Sequence, residues 1–154
     1  MHHQALVEHV TMRAAAATGV SAVNLVAGAP DGHAKNISLI LAPDGDRSIA
    51  PLYDLATGLT YDPEAVERTV ALSIGGERIF SRIREKQWRK AAGILKLDAD
   101  LLTQRAATMA ETFPGAFETA LAEIADAPGT PQVAERTLPA LRQHCSEVLA
   151  RLDE

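Results

Sequence analysis

Apolar positions along the chain recur mostly at helical intervals, and only a few short stretches alternate as strands do. His3 to Thr18 is rich in Ala and closes on Gly19, a residue favoured just past a helix end, so it predicts a first helix. Ser21 is the cap candidate for a short second helix reaching Ala27. Ala29 to Asn36 collects Pro, Gly, Asp and Asn and predicts a loop. Ile37-Ser38-Leu39-Ile40-Leu41 predicts a short strand, Pro43-Asp44-Gly45-Asp46 a turn, and Arg47 to Ala50 the returning strand of a hairpin. Arg68 to Ile74 alternates as a third strand, which Gly75-Gly76 ends as a strand terminus or bulge.

The remainder has helical spacing. Trp88, Ala91, Ala92 and Leu95 share one face of a helix beginning near Ser81 or Ile83. Leu102, Ala106, Met109 and Phe113 form a second stripe, opened by Asp98 or Asp100 as cap. Pro114 is expected to break that helix, leaving Phe117, Leu121 and Ile124 to another. Ala127 to Pro131 predicts a turn, with Thr130 as N-cap and Pro131 at the first helical position. Leu141, Cys145, Val148 and Leu152 complete a last stripe, which Pro139 either kinks or starts. The sum is an α+β fold, mainly α, with one small antiparallel sheet.

Composition narrows this picture. A chain of 154 residues is one domain's worth. Hydrophobic content of 47% with only 4% aromatic residues favours closely packed Ala-rich helices over a large sheet. A net charge of −5 argues against nonspecific nucleic-acid binding by the whole chain. The local run Arg78, Arg82, Arg84, Lys86, Arg89 and Lys90 reads as a solvated helix face. A lone cysteine, Cys145, excludes an intramolecular disulfide and a Cys-based metal site, and its stripe position makes it a core residue. With no long apolar run and no signal-like start, no membrane association is expected and a cytoplasmic protein is the default.

The candidate chemistry lies in the first loop. Asp31 and Asn36 stand five apart in Asp31-Gly32-His33-Ala34-Lys35-Asn36, and Asp54 follows in Pro51-Leu52-Tyr53-Asp54-Leu55. Kinases use such a set to hold an acceptor hydroxyl and Mg²⁺ around a nucleotide phosphate. A carboxylate can take the hydroxyl proton, and an amide oxygen with a second carboxylate suits Mg²⁺, which keeps few protein ligands. By spacing alone, a plain turn-forming loop accounts for these residues equally well. The predicted hairpin bears on the choice, because it would return Asp54 to Asn36. Gly75-Gly76 lacks the pattern of a phosphate loop. His2, His3, His9 and His144 show no metal-ligand spacing with the acidic residues.

The stretch Asn24 to Ser38 resembles the catalytic-loop signature of the HipA-like serine/threonine kinases, and Pro51-Leu52-Tyr53-Asp54-Leu55 resembles their metal-binding segment. Ala71 to Glu77 and Trp88 also sit where that family has a similar strand and helix. This resemblance implies a kinase C-lobe-like helical domain over residues 1–154, with a hairpin carrying the catalytic and metal loops. It implies Asp31 as catalytic base, contacts to ATP from His33, Ala34, Lys35 and Asn36, and Mg²⁺ held by Asn36 and Asp54. Tyr53 is placed either beside the nucleotide or in the core. The implied partners are a protein substrate phosphorylated on Ser or Thr and a helix-turn-helix antitoxin, with DNA met only through the latter. No lysine precedes Lys35, and Gly19 and Gly28 form no nucleotide-covering loop. An N-terminal lobe is therefore expected to be absent from these 154 residues and the isolated chain to be inactive. Two alternatives stay open: a small-molecule phosphotransferase of the aminoglycoside type, and a non-catalytic protein-interaction remnant.

Overall fold

Four helices and the later of two hairpins bury a shared apolar core in the computed structural model, which describes residues 19–44, 47–62 and 68–154; Ile40 and Leu41 of the first hairpin stay exposed. The helix expected over His3 to Thr18 lies outside these residues. Helix α1 (Val20–Val26) starts one residue before Ser21 and has no side-chain cap. Gly19 opens it instead, in a left-handed conformation at φ 90°, and its carbonyl accepts from the Val23 N–H at 2.7 Å. Val20, Ala22, Asn24, Leu25 and Val26 are all buried, so this seven-residue helix depends on its surroundings for stability.

Strands β1 (Leu39–Leu41) and β2 (Arg47–Ile49) pair antiparallel, with Leu39 opposite Ile49 and Leu41 opposite Arg47. This is the predicted hairpin. Strand β3 (Thr69–Ile74) does not join it. It pairs antiparallel with β4 (Glu77–Ile79), so the single small sheet expected is in fact two separate two-stranded ones. Gly75 and Gly76 end β3 as expected and form the turn between the two strands, at φ 60° and 90°. A two-residue hairpin turn with both central φ values positive matches the strand twist and favours glycine. At Gly75 space is also decisive, because a Cβ there would collide with the Gln87 backbone carbonyl.

A 3₁₀ turn (Phe80–Arg82) leads into α2 (Glu85–Leu95), where the Gln87 side chain accepts from the Arg84 N–H at 3.0 Å. Asp98 caps α3 (Ala99–Glu123), accepting from the Leu101 N–H at 2.9 Å. The break expected at Pro114 does not occur, and Phe117 and Leu121 lie on the same helix as Leu102. A proline removes one backbone donor and crowds the preceding turn. Here buried side chains on both sides of it, from Leu102, Ala106 and Ala110 to Leu121, hold the helix against its neighbours. The last helix, α4 (Thr130–Leu152), follows Gly129 at φ 89° and runs through Pro139. Thr130 is its first residue rather than its cap, and the Thr130 hydroxyl donates to the Ile124 carbonyl at 2.9 Å. α4 packs most extensively on α3, and α1 packs on both. No helix among the described residues is long and apolar enough to cross a membrane.

Three arginines of the basic run between Arg78 and Lys90 are engaged within the fold. The Arg78 Nε donates to the Val70 carbonyl, Arg84 pairs with Glu154, and Arg89 pairs with Glu85 and Asp100.

Candidate functional site

The loop after α1 is built from its buried side first. Asn24 is only 4% exposed, and its Nδ2 donates to the Gly32 carbonyl at 2.9 Å while its own carbonyl accepts from the Ala29 N–H at 2.8 Å. One asparagine thus ties both ends of the Ala29–Gly32 segment to the helix before it. Gly32 must be glycine for this to happen, since a Cβ would run into the Asn24 amide. From that anchor the chain turns outward. The His33 N–H donates to the Asp31 carbonyl at 2.8 Å, the Asn36 N–H donates to the His33 carbonyl at 3.0 Å, and Ala34–Asn36 closes as a 3₁₀ turn.

Asn36 is the meeting point of the candidate residues. Its Nδ2 donates to Asp54 Oδ2 at 3.1 Å and lies 3.5 Å from the Asp31 carbonyl oxygen. Two residues eighteen apart are therefore in side-chain contact, with Asp31 on the same loop. The Asp31 carboxylate points outward, 77% exposed, and lies 3.5 Å from His33 Nε2. Asp54 has φ 55°, a left-handed backbone that Asp tolerates better than most residues. Such conformations persist where neighbouring contacts enforce them.

The enforcing contact comes from Tyr53. Its hydroxyl donates to the Lys35 carbonyl at 3.1 Å and, serving then as acceptor, meets Ser38 Oγ at 2.8 Å. This locks the Asp54 segment onto the Asn36 turn from outside. The Tyr53 ring is 47% exposed, so it is not a core residue. Further along, the Gly58 N–H donates to the Gly28 carbonyl at 2.8 Å, and the Leu59 side chain fills the place a Cβ on Gly28 would need. Lys35 is exposed beside the cleft formed by Asn24, Gly32, His33, Asn36, Tyr53 and Asp54.

An Asn amide oxygen and an Asp carboxylate are hard donors, and one such pair suits Mg²⁺. No group of three or more His, Cys, Asp or Glu side chains with metal-binding geometry occurs among the described residues. The Asn36 amide presents its nitrogen to Asp54 here; turned over, it would set its oxygen beside the Asp54 carboxylate, a pair that fits a cation drawing its other ligands from phosphate and water.

Sequence reading missed three supporting residues. Asn24 could have been suspected as a polar residue inside the apolar run Val23-Asn24-Leu25-Val26. His144 and Cys145 could not. From α4, His144 Nε2 lies 2.7 Å from the Leu25 carbonyl oxygen and the Cys145 thiol donates to the Val26 carbonyl at 3.4 Å. The two side chains thus occupy carbonyls at the end of α1 from 119 residues away. Burial pushes the Cys145 thiol up to about 11, so it remains protonated and able to donate.

Burial also lowers His144 from its ordinary value, outweighing the Leu25 hydrogen bond that raises it. The neutral ring is therefore the folded form. The unfolded chain binds this proton more readily, so stability from His144 is present above the unfolded imidazole pKa and is lost as pH falls through the depressed folded one. Thermal unfolding of wild type and His144→Gln, followed from pH 7.5 down to pH 5, should show the wild type losing more stability. Parallel curves would contradict this.

Residues 19–121 match the HipA-like C-terminal domain family. No curated protein matches the chain. Among solved structures, a chain of the Shewanella oneidensis MR-1 toxin–antitoxin complex of HipA, HipB and operator DNA is similar, with a TM-score of 0.68 and 25% sequence identity. The match covers 86% of this chain and 31% of that one. The chain thus spans under a third of the length of that relative.

Proposed function

The chain belongs to the HipA-like C-terminal domain family, and from that premise we propose that it carries the catalytic and metal-holding side chains of an ATP-dependent serine/threonine protein kinase. The observation that supports this most directly is the 3.1 Å contact from Asn36 Nδ2 to Asp54 Oδ2, made on the loop that presents Asp31.

In this reading Asp31 is the base. Its exposed carboxylate orients the acceptor hydroxyl and takes the proton as the hydroxyl oxygen bonds to the γ-phosphorus and the bond to the ADP oxygen breaks. Late proton acceptance suffices, because phosphoryl transfer passes through a loose transition state. Asn36, through its amide oxygen, and Asp54 would hold Mg²⁺, which would offset charge on the phosphate oxygens. His33 and Lys35 offer N–H donors and positive charge to the phosphates, and Ala34 contributes backbone on the same turn. Tyr53 keeps the Asp54 segment in register and lends an exposed ring edge to the nucleotide side.

The implied partners are a protein substrate and a helix-turn-helix antitoxin, through which operator DNA is reached indirectly. The similar chain in a HipA–HipB–operator complex supports the second.

Metal-dependent nucleotide binding tests the reading. Titrating Mg²⁺-ATP into the wild-type chain by calorimetry should give saturable binding. Asp54→Ala should weaken it by at least about tenfold, the loss of one charge-assisted ligand. Equal responses from the two proteins would overturn the assignment.

A further inference from the structure

A second polar cavity, of about 290 Å³, is lined by Arg68, Phe80, Ser81, His144, Glu147 and Arg151. None of these lines the cleft at Asn36 and Asp54. Among the described residues its charges do not balance. The Arg68 Nη2 donates to the Leu59 carbonyl at 3.0 Å and lies 3.5 Å from the Tyr61 carbonyl oxygen, both neutral acceptors. The Arg68 Nε–H is buried and has no hydrogen-bond partner among the described residues. Arg151, with 13% of its side chain exposed, has a buried Nε–H in the same condition. Its Nη1 is 3.6 Å from Glu147 Oε2, an ion pair one helical turn apart, beyond the distance of a well-formed hydrogen bond. Glu147 is the only carboxylate lining this cavity among the described residues, and the nearby Arg84–Glu154 pair neutralises itself. His144 is held toward its neutral form and contributes no fixed charge.

Among the described residues, two guanidinium groups thus line a cavity with one carboxylate, and the Nε–H of each is buried without a partner. Buried charge is costly unless paired, and a buried donor left without an acceptor calls for a missing partner. Guanidinium forks match oxyanions bidentately, using Nε together with a terminal nitrogen. Arg68, Arg151 and Ser81 line the same cavity, so an anion within it would meet donors from more than one side, as tetrahedral oxygens can use. We propose that this cavity is an anion site that binds a phosphate group between Arg68 and Arg151. The phosphate is carried either by free inorganic phosphate or by a phosphorylated serine side chain.

Arginine Nε–H resonances of the ¹⁵N-labelled full chain read this directly. Inorganic phosphate, and separately O-phosphoserine blocked at both termini, are titrated at constant ionic strength, with acetate as control. The Arg68 and Arg151 signals should shift along a saturable curve, while Arg89, already paired with Glu85 and Asp100, stays in place. Tighter binding of blocked phosphoserine supports the proposal and identifies a phosphorylated side chain; equal or tighter binding of inorganic phosphate supports it with the free ion. Arg151→Gln should weaken binding by at least about tenfold. Arg151→Lys, which keeps the charge and loses the fork, should also bind more weakly than wild type. Absence of a saturable shift with either phosphate compound overturns the proposal, as does an equal response to acetate. The wild-type titration decides the matter even where a substitution unfolds the chain.

Discussion

Asp31→Asn should lower the rate of phosphoryl transfer by about 10²- to 10⁴-fold, the range typical of losing a positioned general base. The loop should survive the change. The Asp31 side chain is exposed, and the hydrogen bonds that shape the loop run through its carbonyl and through Asn24, not through its carboxylate. Asparagine keeps the size and turn preference of aspartate but accepts no proton from a hydroxyl. Transfer to a protein substrate is measured in a polypeptide that includes these residues together with the remaining nucleotide-binding elements. Mg²⁺-nucleotide affinity should stay near wild type, which separates Asp31 from Asp54. A variant that retains more than about a tenth of the rate would remove Asp31 from the role of base.

Trp88→Ala should destabilise the fold by about 3–5 kcal/mol, the usual cost of deleting a large aromatic side chain from a packed core. For a chain of this length that lowers the melting temperature by roughly 6–20 °C. Trp88 is 1% exposed and shares the main core cluster with Ile74, Ile83 and Leu102. It follows Gln87, whose carbonyl leaves no room for a side chain at Gly75, so α2 and the β3–β4 turn close against each other here. Trp88→Phe should cost less than half as much, because it keeps much of the apolar volume and removes a buried indole N–H that has no partner among the described residues. Trp88 is the only tryptophan, so unfolding of both variants is followed by circular dichroism. A loss below about 1 kcal/mol for the alanine variant would show that Trp88 is not part of a close-packed core.

Local chemistry made part of this molecule legible before any coordinates. Apolar residues over Leu39–Leu41, turn formers after them and a returning segment at Arg47–Ile49 describe a hairpin whose contacts are nearly all short-range. Asp98 at the head of an apolar stripe describes a capped helix for the same reason. Local rules failed where distant contacts outweighed them. Pro114 ends a helix only if nothing holds the two halves in line, and here packing along α3 holds them. Gly75-Gly76 carried a hairpin signal, but Glu77-Arg78-Ile79 was too short to register as a strand, and only its pairing with β3 makes it one. Ser21 had the chemistry of a cap, yet Gly19, in its left-handed conformation, began the helix before it.

The candidate site divides along the same line. Residues Asp31 to Asn36 and Tyr53-Asp54 stand out as sequence because turn-forming acids and amides at that spacing carry recognisable chemistry, and a hairpin between them brings its ends together. Folding in three dimensions alone decided that His144 and Cys145 would sit on carbonyls of α1, and that Arg68 and Arg151 would line one cavity with Glu147. The reason is physical. Local conformational preferences reach only a few residues along the chain, whereas burial and charge balance depend on groups that meet only once the core has closed.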